Sequence, residues 1–236
     1  MPSIGRLHLI TDTRSDRDPL SVVAAGLSAG ADTIQVRVPD TATDRDAYEL
    51  ARRVAQLCRS AGATCLVNDR LHIALAVGAD GGHVGADDLP VRLARRVLGP
   101  DAILGVTVRD PGAARRAVAD GASYLGVGPA YRTSTKDRLP DPIGAVGVAA
   151  VARAAGVPVI AIGGVTVGTV AELRAAGAHG VAVIGAISLA ADPAAATAEL
   201  RAALTADLPA AVTTDLRAVP TAEPTVAVGA EPEATR

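Results

Sequence analysis

The chain has 236 residues, a formal net charge of −2 and a pI near 6.1. Such a length supports one full hydrophobic core, and such a balance supplies no global field toward nucleic acid or an anionic membrane. Hydrophobic residues make up 49%, yet there is no Phe or Trp and only three Tyr, which argues against stacking platforms for bases; nor does any apolar run reach the ~18 residues that span a bilayer.

In chain order, β-branched runs alternate with Ala-rich amphipathic stretches. Leu7–Thr11 reads as a strand and Pro19–Ala29 as a helix, then Thr33–Arg37 and Asp44–Ala61, then Thr64–Asn68 and Arg70–Val77. Gly82–Val84 precedes Pro90–Leu98, and Ile103–Thr107 precedes Pro111–Asp120. Ser123–Val127 leads to Ala145–Ala155, Pro158–Ile162 to Val167–Ala176, and Gly180–Ile184 to Pro193–Thr205. Asp18-Pro19, Asp110-Pro111 and Asp192-Pro193 are helix starts, while Gly30, Gly62, Gly121 and Gly177 stand where a left-handed residue ends one. Eight βα units with short connections predict parallel strands, right-handed crossovers and a single (β/α)8 barrel over 1–207. A weak echo agrees: Ala29-Gly30-Ala31-Asp32, Val77-Gly78-Ala79-Asp80, Ala119-Asp120-Gly121-Ala122 and Ala176-Gly177-Ala178-His179 each precede a strand. From 208 to 236 the periodicity dissolves among Pro, Ala, Thr and Glu, which predicts a disordered tail. Met1–Asp12 shows no signal peptide, so Cys58 and Cys65 are expected as reduced thiols of a cytoplasmic protein. Monomer and homo-oligomer both stay open.

The chemistry of such a barrel belongs at the C-terminal ends of its strands. The sixth strand runs into Val127-Gly128-Pro129-Ala130-Tyr131-Arg132-Thr133-Ser134-Thr135-Lys136-Asp137, three adjacent hydroxyls beside a lysine, a set that suits phosphate oxygens. Asp69 and Asp88, after the third and fourth strands, are hard oxygen ligands with room between them for one magnesium ion; capping of the following helix is the other reading of each. Arg37 and Lys136 could neutralise a pyrophosphate, though Arg37 could also pair with a nearby acid. Gln35 and Asn68 suit a heterocycle or a phosphate, or simply fill the upper layer of the barrel. Thr107 ends the fifth strand. Gly163-Gly164 and Gly185, after the last two strands, fit the phosphate site of barrels, where backbone N–H groups face an anion. Two anion subsites imply two phosphorylated small-molecule ligands. His8, His72, His83 and His179 form no metal-ligand spacing and read as packing or surface residues.

From Leu7 to Leu204 these residues resemble the thiamine-phosphate synthase family, which shares a superfamily with thiazole tautomerases. The resemblance is carried by Leu9-Ile10-Thr11-Asp12, Val67-Asn68-Asp69-Arg70, the run Ala74 to Gly85, Asp88-Leu89-Pro90, Gly126-Val127-Gly128-Pro129, Thr133-Ser134-Thr135-Lys136, Ala161-Ile162-Gly163-Gly164 and Gly180 to Ile184. It implies a transferase that joins hydroxymethylpyrimidine diphosphate to a thiazole phosphate. Gln35, Arg37, Asn68, Thr107 and Lys136 would hold the diphosphate, with Arg37, Lys136 and Thr107 in catalytic roles. Asp69 and Asp88 would bind magnesium, while Thr133, Thr135, Gly164, Ile184 and Gly185 would hold the thiazole phosphate, with Ser134 counted among the substrate-binding residues. Three positions depart from the family pattern: Pro39 stands in place of a lysine, Gly185 in place of a serine, and Thr107 with Arg109 in place of a serine and a histidine. Those departures keep two alternatives in view, a thiazole tautomerase-like isomerase and a non-catalytic barrel that binds thiazole or thiamine phosphate.

Overall fold

The computed structural model describes residues 4–12, 18–133 and 140–208. Eight parallel strands close into a barrel in sequence order. They are β1 (Leu7–Ile10), β2 (Thr33–Val36), β3 (Thr64–Asn68), β4 (Gly81–Val84), β5 (Ile103–Val108), β6 (Tyr124–Val127), β7 (Val159–Ile162) and β8 (Gly180–Val183). Between them run α1 (Pro19–Ser28), α2 (Asp44–Ala61), α3 (Leu71–Val77), α4 (Val91–Leu98), α5 (Pro111–Ala119), α6 (Gly144–Ala154) and α7 (Val167–Ala175), with α8 (Gly185–Ser188) and α9 (Pro193–Thr205) after β8. Each predicted element is present within about a residue or two of its expected ends. The four-residue α8 was not expected, because it is too short to carry a period. The predicted tail lies outside the described residues from 209 onward.

The strands are buried on both faces, which their near-continuous Val, Ile and Leu content requires of a parallel sheet covered by helices. Successive side chains alternate between two cores. Leu9, Ile34, Val36, Val67, Leu104, Val106 and Leu125 pack outward in the large core shared with the helices. Ile10, Leu66, Ile103, Tyr124, Ile160 and Ala182 form a separate core on the barrel axis. The same parity turns Gln35, Asn68, His83 and Thr107 inward.

The Ala-Gly-Ala-Asp echo has a structural meaning at the N-terminal end of the barrel. Asp32 accepts from the backbone N–H groups of Arg6 and Leu7, and Asp80 accepts from Cys65 N–H at 2.7 Å. Ser123 Oγ accepts from Leu104 N–H, and Arg95 donates to the carbonyls of Gly99, Ala102 and Gly121. Each fastener ties an incoming strand to its neighbour. Cys58 on α2 and Cys65 on β3 are both buried and reduced; a hydrogen bond from Cys58, reinforced by burial, pushes the Cys65 thiol upward and keeps it protonated.

His8, 1% exposed, donates from Nε2 to the Gly5 carbonyl at 3.0 Å and meets Tyr124 edge-on. Burial lowers its pKa from 6.5 to about 4. Between those values the unfolded chain binds a proton that the folded chain does not. The stabilisation is therefore complete above pH 6.5 and is lost as pH falls toward 4. The shift corresponds to about 3 kcal/mol. Urea midpoints should fall across that window in the native chain, and that share of the slope should vanish in His8→Leu; an unchanged slope would sink this account.

Candidate active site

At the C-terminal ends of the strands lies one cavity of about 1070 Å³. Its walls follow from how each strand stops. Thr11, just past β1, accepts from Arg37 N–H at 2.8 Å and donates to the Arg37 carbonyl at 2.6 Å, which fixes the backbone where β2 ends. The Arg37 side chain lines the cavity and forms no ion pair with a described residue. The loop beyond it, 38–43, is held from outside: Ala42 N–H donates to the Pro39 carbonyl, and Arg70 reaches Ala42 O at 2.6 Å and Asp44 at 3.0 Å.

Asn68 ends β3, and Asp69 follows at φ 60, the one non-glycine with positive φ among the described residues. Its N–H donates to the His83 carbonyl at 2.8 Å, so the left-handed turn is locked to β4. A left-handed non-glycine residue is a conformational cost that surrounding structure must hold in place, and such residues gather at functional sites. The N-cap positions of α3 and α4 are held by Arg70 and Pro90, not by Asp69 or Asp88. Asp88 instead closes a turn by accepting from Gly85 N–H at 2.6 Å through Oδ2. Asp69, Asp87 and Asp88 all line the cavity.

The opposite wall is built from β6, β7 and β8. Ala130 and Tyr131 N–H donate to the carbonyls of Ile162 and Gly163, which binds the β6 loop to the Gly163-Gly164 turn. Gly164, at φ +66, has no room for a Cβ, which would fall 2.4 Å from Arg132 O. Tyr131 Oη donates to Glu172 at 2.5 Å, anchoring the loop on α7; burial, with Glu172 adding to it, pushes that phenol upward. Ile184 caps α8, and Gly185 opens it, so the N–H groups of that first turn lie at the cavity wall.

Of the expected site residues, Gln35, Arg37, Asn68, Asp69, Asp88, Thr107, Thr133, Gly164, Ile184 and Gly185 line this one cavity. Ser134, Thr135 and Lys136 lie outside the described residues. Arg132, not assigned to the site from sequence, lines the cavity, and Arg109, one of the departures from the family pattern, lines it while donating to the Asp141 carbonyl at 2.5 Å. His83, expected in a packing or surface role, is buried at 7% exposure. It lines the cavity, with Nδ1 2.8 Å from Tyr124 Oη and Nε2 2.8 Å from Thr107 Oγ1. The signal for it was strand parity, since His83 shares the inward register of Gly105 and Tyr124.

The family model described as thiamine monophosphate synthase matches residues 7–187. A thiamine-phosphate synthase from Salinispora arenicola is 67% identical over 199 residues, covering 84% of this chain and 96% of that protein. One from Haloquadratum walsbyi is 48% identical over 194 residues, covering 80% and 86%. The solved structure of thiamine phosphate pyrophosphorylase from Pyrococcus furiosus superposes with a TM-score of 0.77 at 35% identity, covering 84% of this chain and 95% of that one.

Gly105 sits between His83 and Tyr124 in register, and a Cβ there would fall 2.2 Å from Tyr124 Cζ and 2.4 Å from His83 Nδ1. Gly105→Ala should therefore cost about 1–3 kcal/mol of overpacking, read from urea midpoints. A neutral result would show that the ring pair has slack.

Proposed function

This chain belongs to the thiamine monophosphate synthase family, and on that premise we propose that its cavity couples hydroxymethylpyrimidine diphosphate to thiazole phosphate, releasing thiamine phosphate and pyrophosphate. One observation carries the assignment of residues to roles. A single cavity is lined on one arc by Gln35, Arg37, Asn68, Asp69, Asp88 and Thr107, and on the other by Thr133, Gly164, Ile184 and Gly185. The first arc is cationic and carboxylate-bearing, the second is glycine and hydroxyl, so two different phosphorylated ligands meet across it.

Gln35 and Asn68 offer amides to the aminopyrimidine edge, while Arg37 and Thr107 take diphosphate oxygens, with Lys136 from the loop beyond Thr133. The donor set also fits magnesium. Asp69 and Asp88 are oxygen ligands, Asp88 spends only Oδ2 on Gly85, and magnesium commonly takes one or two carboxylates with phosphate and water completing its shell. Among the described residues no three or more His, Cys, Asp or Glu are placed to hold a metal ion. Bound there, magnesium would supply positive charge to the leaving pyrophosphate.

The C–O bond between the pyrimidine methylene and the diphosphate breaks, and its electron pair leaves with pyrophosphate. The electron-rich aminopyrimidine stabilises the carbon left behind, and the thiazole nitrogen donates its lone pair to form the new C–N bond. The protein's part is orientation and leaving-group electrostatics, with no protein nucleophile. Thr133, Thr135 and the backbone about Gly164, Ile184 and Gly185 hold the thiazole phosphate, with Ser134 in the same loop as the two threonines. Arg109 offers a guanidinium to the diphosphate arc, where Pro39 offers none.

Purified protein with both substrates and magnesium should form thiamine phosphate, detected as thiochrome, and EDTA should abolish it. Asp69→Ala should lower kcat/KM roughly 100-fold, about 3 kcal/mol. No product, with thiazole phosphate still bound by calorimetry, would overturn the synthase reading. Arg109→Ala should raise KM for the diphosphate about tenfold and leave that for the thiazole phosphate unchanged, as the loss of one charge-assisted contact predicts; equal effects on both would remove Arg109 from the diphosphate arc.

A further inference from the structure

We infer that Tyr124 and His83 are positioning residues: a buried, one-way hydrogen-bond chain from Gln35 through Tyr124 and His83 to Thr107 turns the threonine O–H into the cavity as a donor. The inference rests on the diphosphate reading of this arc only for what Thr107 meets; the direction of the chain is a property of the protein alone.

Three contacts define the chain. Gln35 Nε2 lies 3.4 Å from Tyr124 Oη, which lies 2.8 Å from His83 Nδ1, and His83 Nε2 lies 2.8 Å from Thr107 Oγ1. An amide nitrogen only donates, so Tyr124 Oη accepts from Gln35, and its single proton then has His83 Nδ1 as the acceptor within reach in this chain. A neutral imidazole that accepts at Nδ1 carries its proton on Nε2, and so donates to Thr107. Thr107, accepting there, must place its own proton elsewhere, and the cavity it lines is the open direction. The opposite polarity would present threonine lone pairs to the cavity, where a phosphate oxygen, an acceptor only, gains nothing.

The surroundings favour one polarity. Tyr124, Gln35 and His83 are 1%, 5% and 7% exposed, so bulk water does not readily substitute for the chain's partners. Burial pushes the Tyr124 phenol upward, which keeps it a donor. The space the rings occupy is reserved by glycine: a Cβ at Gly105 would strike both rings, and one at Gly126 would sit 3.0 Å from His83 Cε1. Packing alone would be served by a phenylalanine at 124, which could not set the imidazole tautomer.

The full chain labelled with ¹⁵N-histidine, ligand-free in mildly alkaline buffer, tests the direction, with His83 assigned by comparison with His83→Gln. An Nε2–H tautomer is expected; an Nδ1–H tautomer or an even mixture overturns the inference, whatever the enzymatic activity. Tyr124→Phe should then mix the His83 tautomers, weaken binding of inorganic pyrophosphate with magnesium about tenfold, and lower kcat with KM for thiazole phosphate unchanged. Retention of a single tautomer and of pyrophosphate affinity in that variant would also overturn it. If Tyr124→Phe does not fold, the native tautomer still decides. Absence of thiamine phosphate formation by the native chain would sink the synthase reading instead, and leaves the tautomer measurement independent.

Discussion

Ile34, Val36, Val67, Val84, Val106 and Val127 are buried against helices, and a strand turns its side chains over at every residue. That burial leaves Gln35, Arg37, Asn68, His83 and Thr107 facing the barrel axis. A slip of one residue in β2 would turn Ile34 and Val36 toward the axis and put Gln35 and Arg37 under a helix, so its register is strongly specified. The site therefore inherits its accuracy from the apolar outer face. Parallel pairing carries that accuracy around the barrel: Asn68 pairs with His83, His83 with Gly105, and Gly105 with Tyr124. Residues far apart in sequence come to one level because each neighbouring pair fixes the next.

The inner face is not uniform along the axis. Its middle holds Ile10, Leu66, Ile103 and Ile160, which exclude water from below. Above them comes the Tyr124–His83–Thr107 layer, and above that the charged rim. Among the described residues, Arg37, Arg109 and Arg132 share this rim with Asp40, Asp69, Asp87 and Asp88. Mixed signs suit a reaction in which a trianionic or more highly charged leaving group departs from a ring that becomes electron-poor. Charge is supplied by fixed groups, so little reorganisation is needed as the bond breaks.

The barrel was legible in the sequence because strand and helix periods, proline starts and glycine stops all point the same way, element after element. Most of the cavity wall was legible too, since strand ends can be read once the strands are known. What escaped did so for physical reasons. The helix Gly185–Ser188 is a single turn with no repeat to detect. His83 was judged by spacing to other histidines, whereas its partners are a tyrosine and a threonine from β6 and β5. Arg132 falls in a loop without periodicity, and the reach of Arg109 depends on where Asp141 O comes to lie, which no local pattern encodes. Ser134, Thr135 and Lys136 rest on the sequence alone.

Asp32, Asp80, Ser123 and Arg95 fasten strand to strand at the end of the barrel opposite the cavity. Stability devices and chemistry thus occupy different ends of the same strands. A change at a rim position such as Pro39 or Gly185 therefore touches none of these fasteners. Such a division lets the rim be altered for new chemistry while the fastened end keeps the barrel closed.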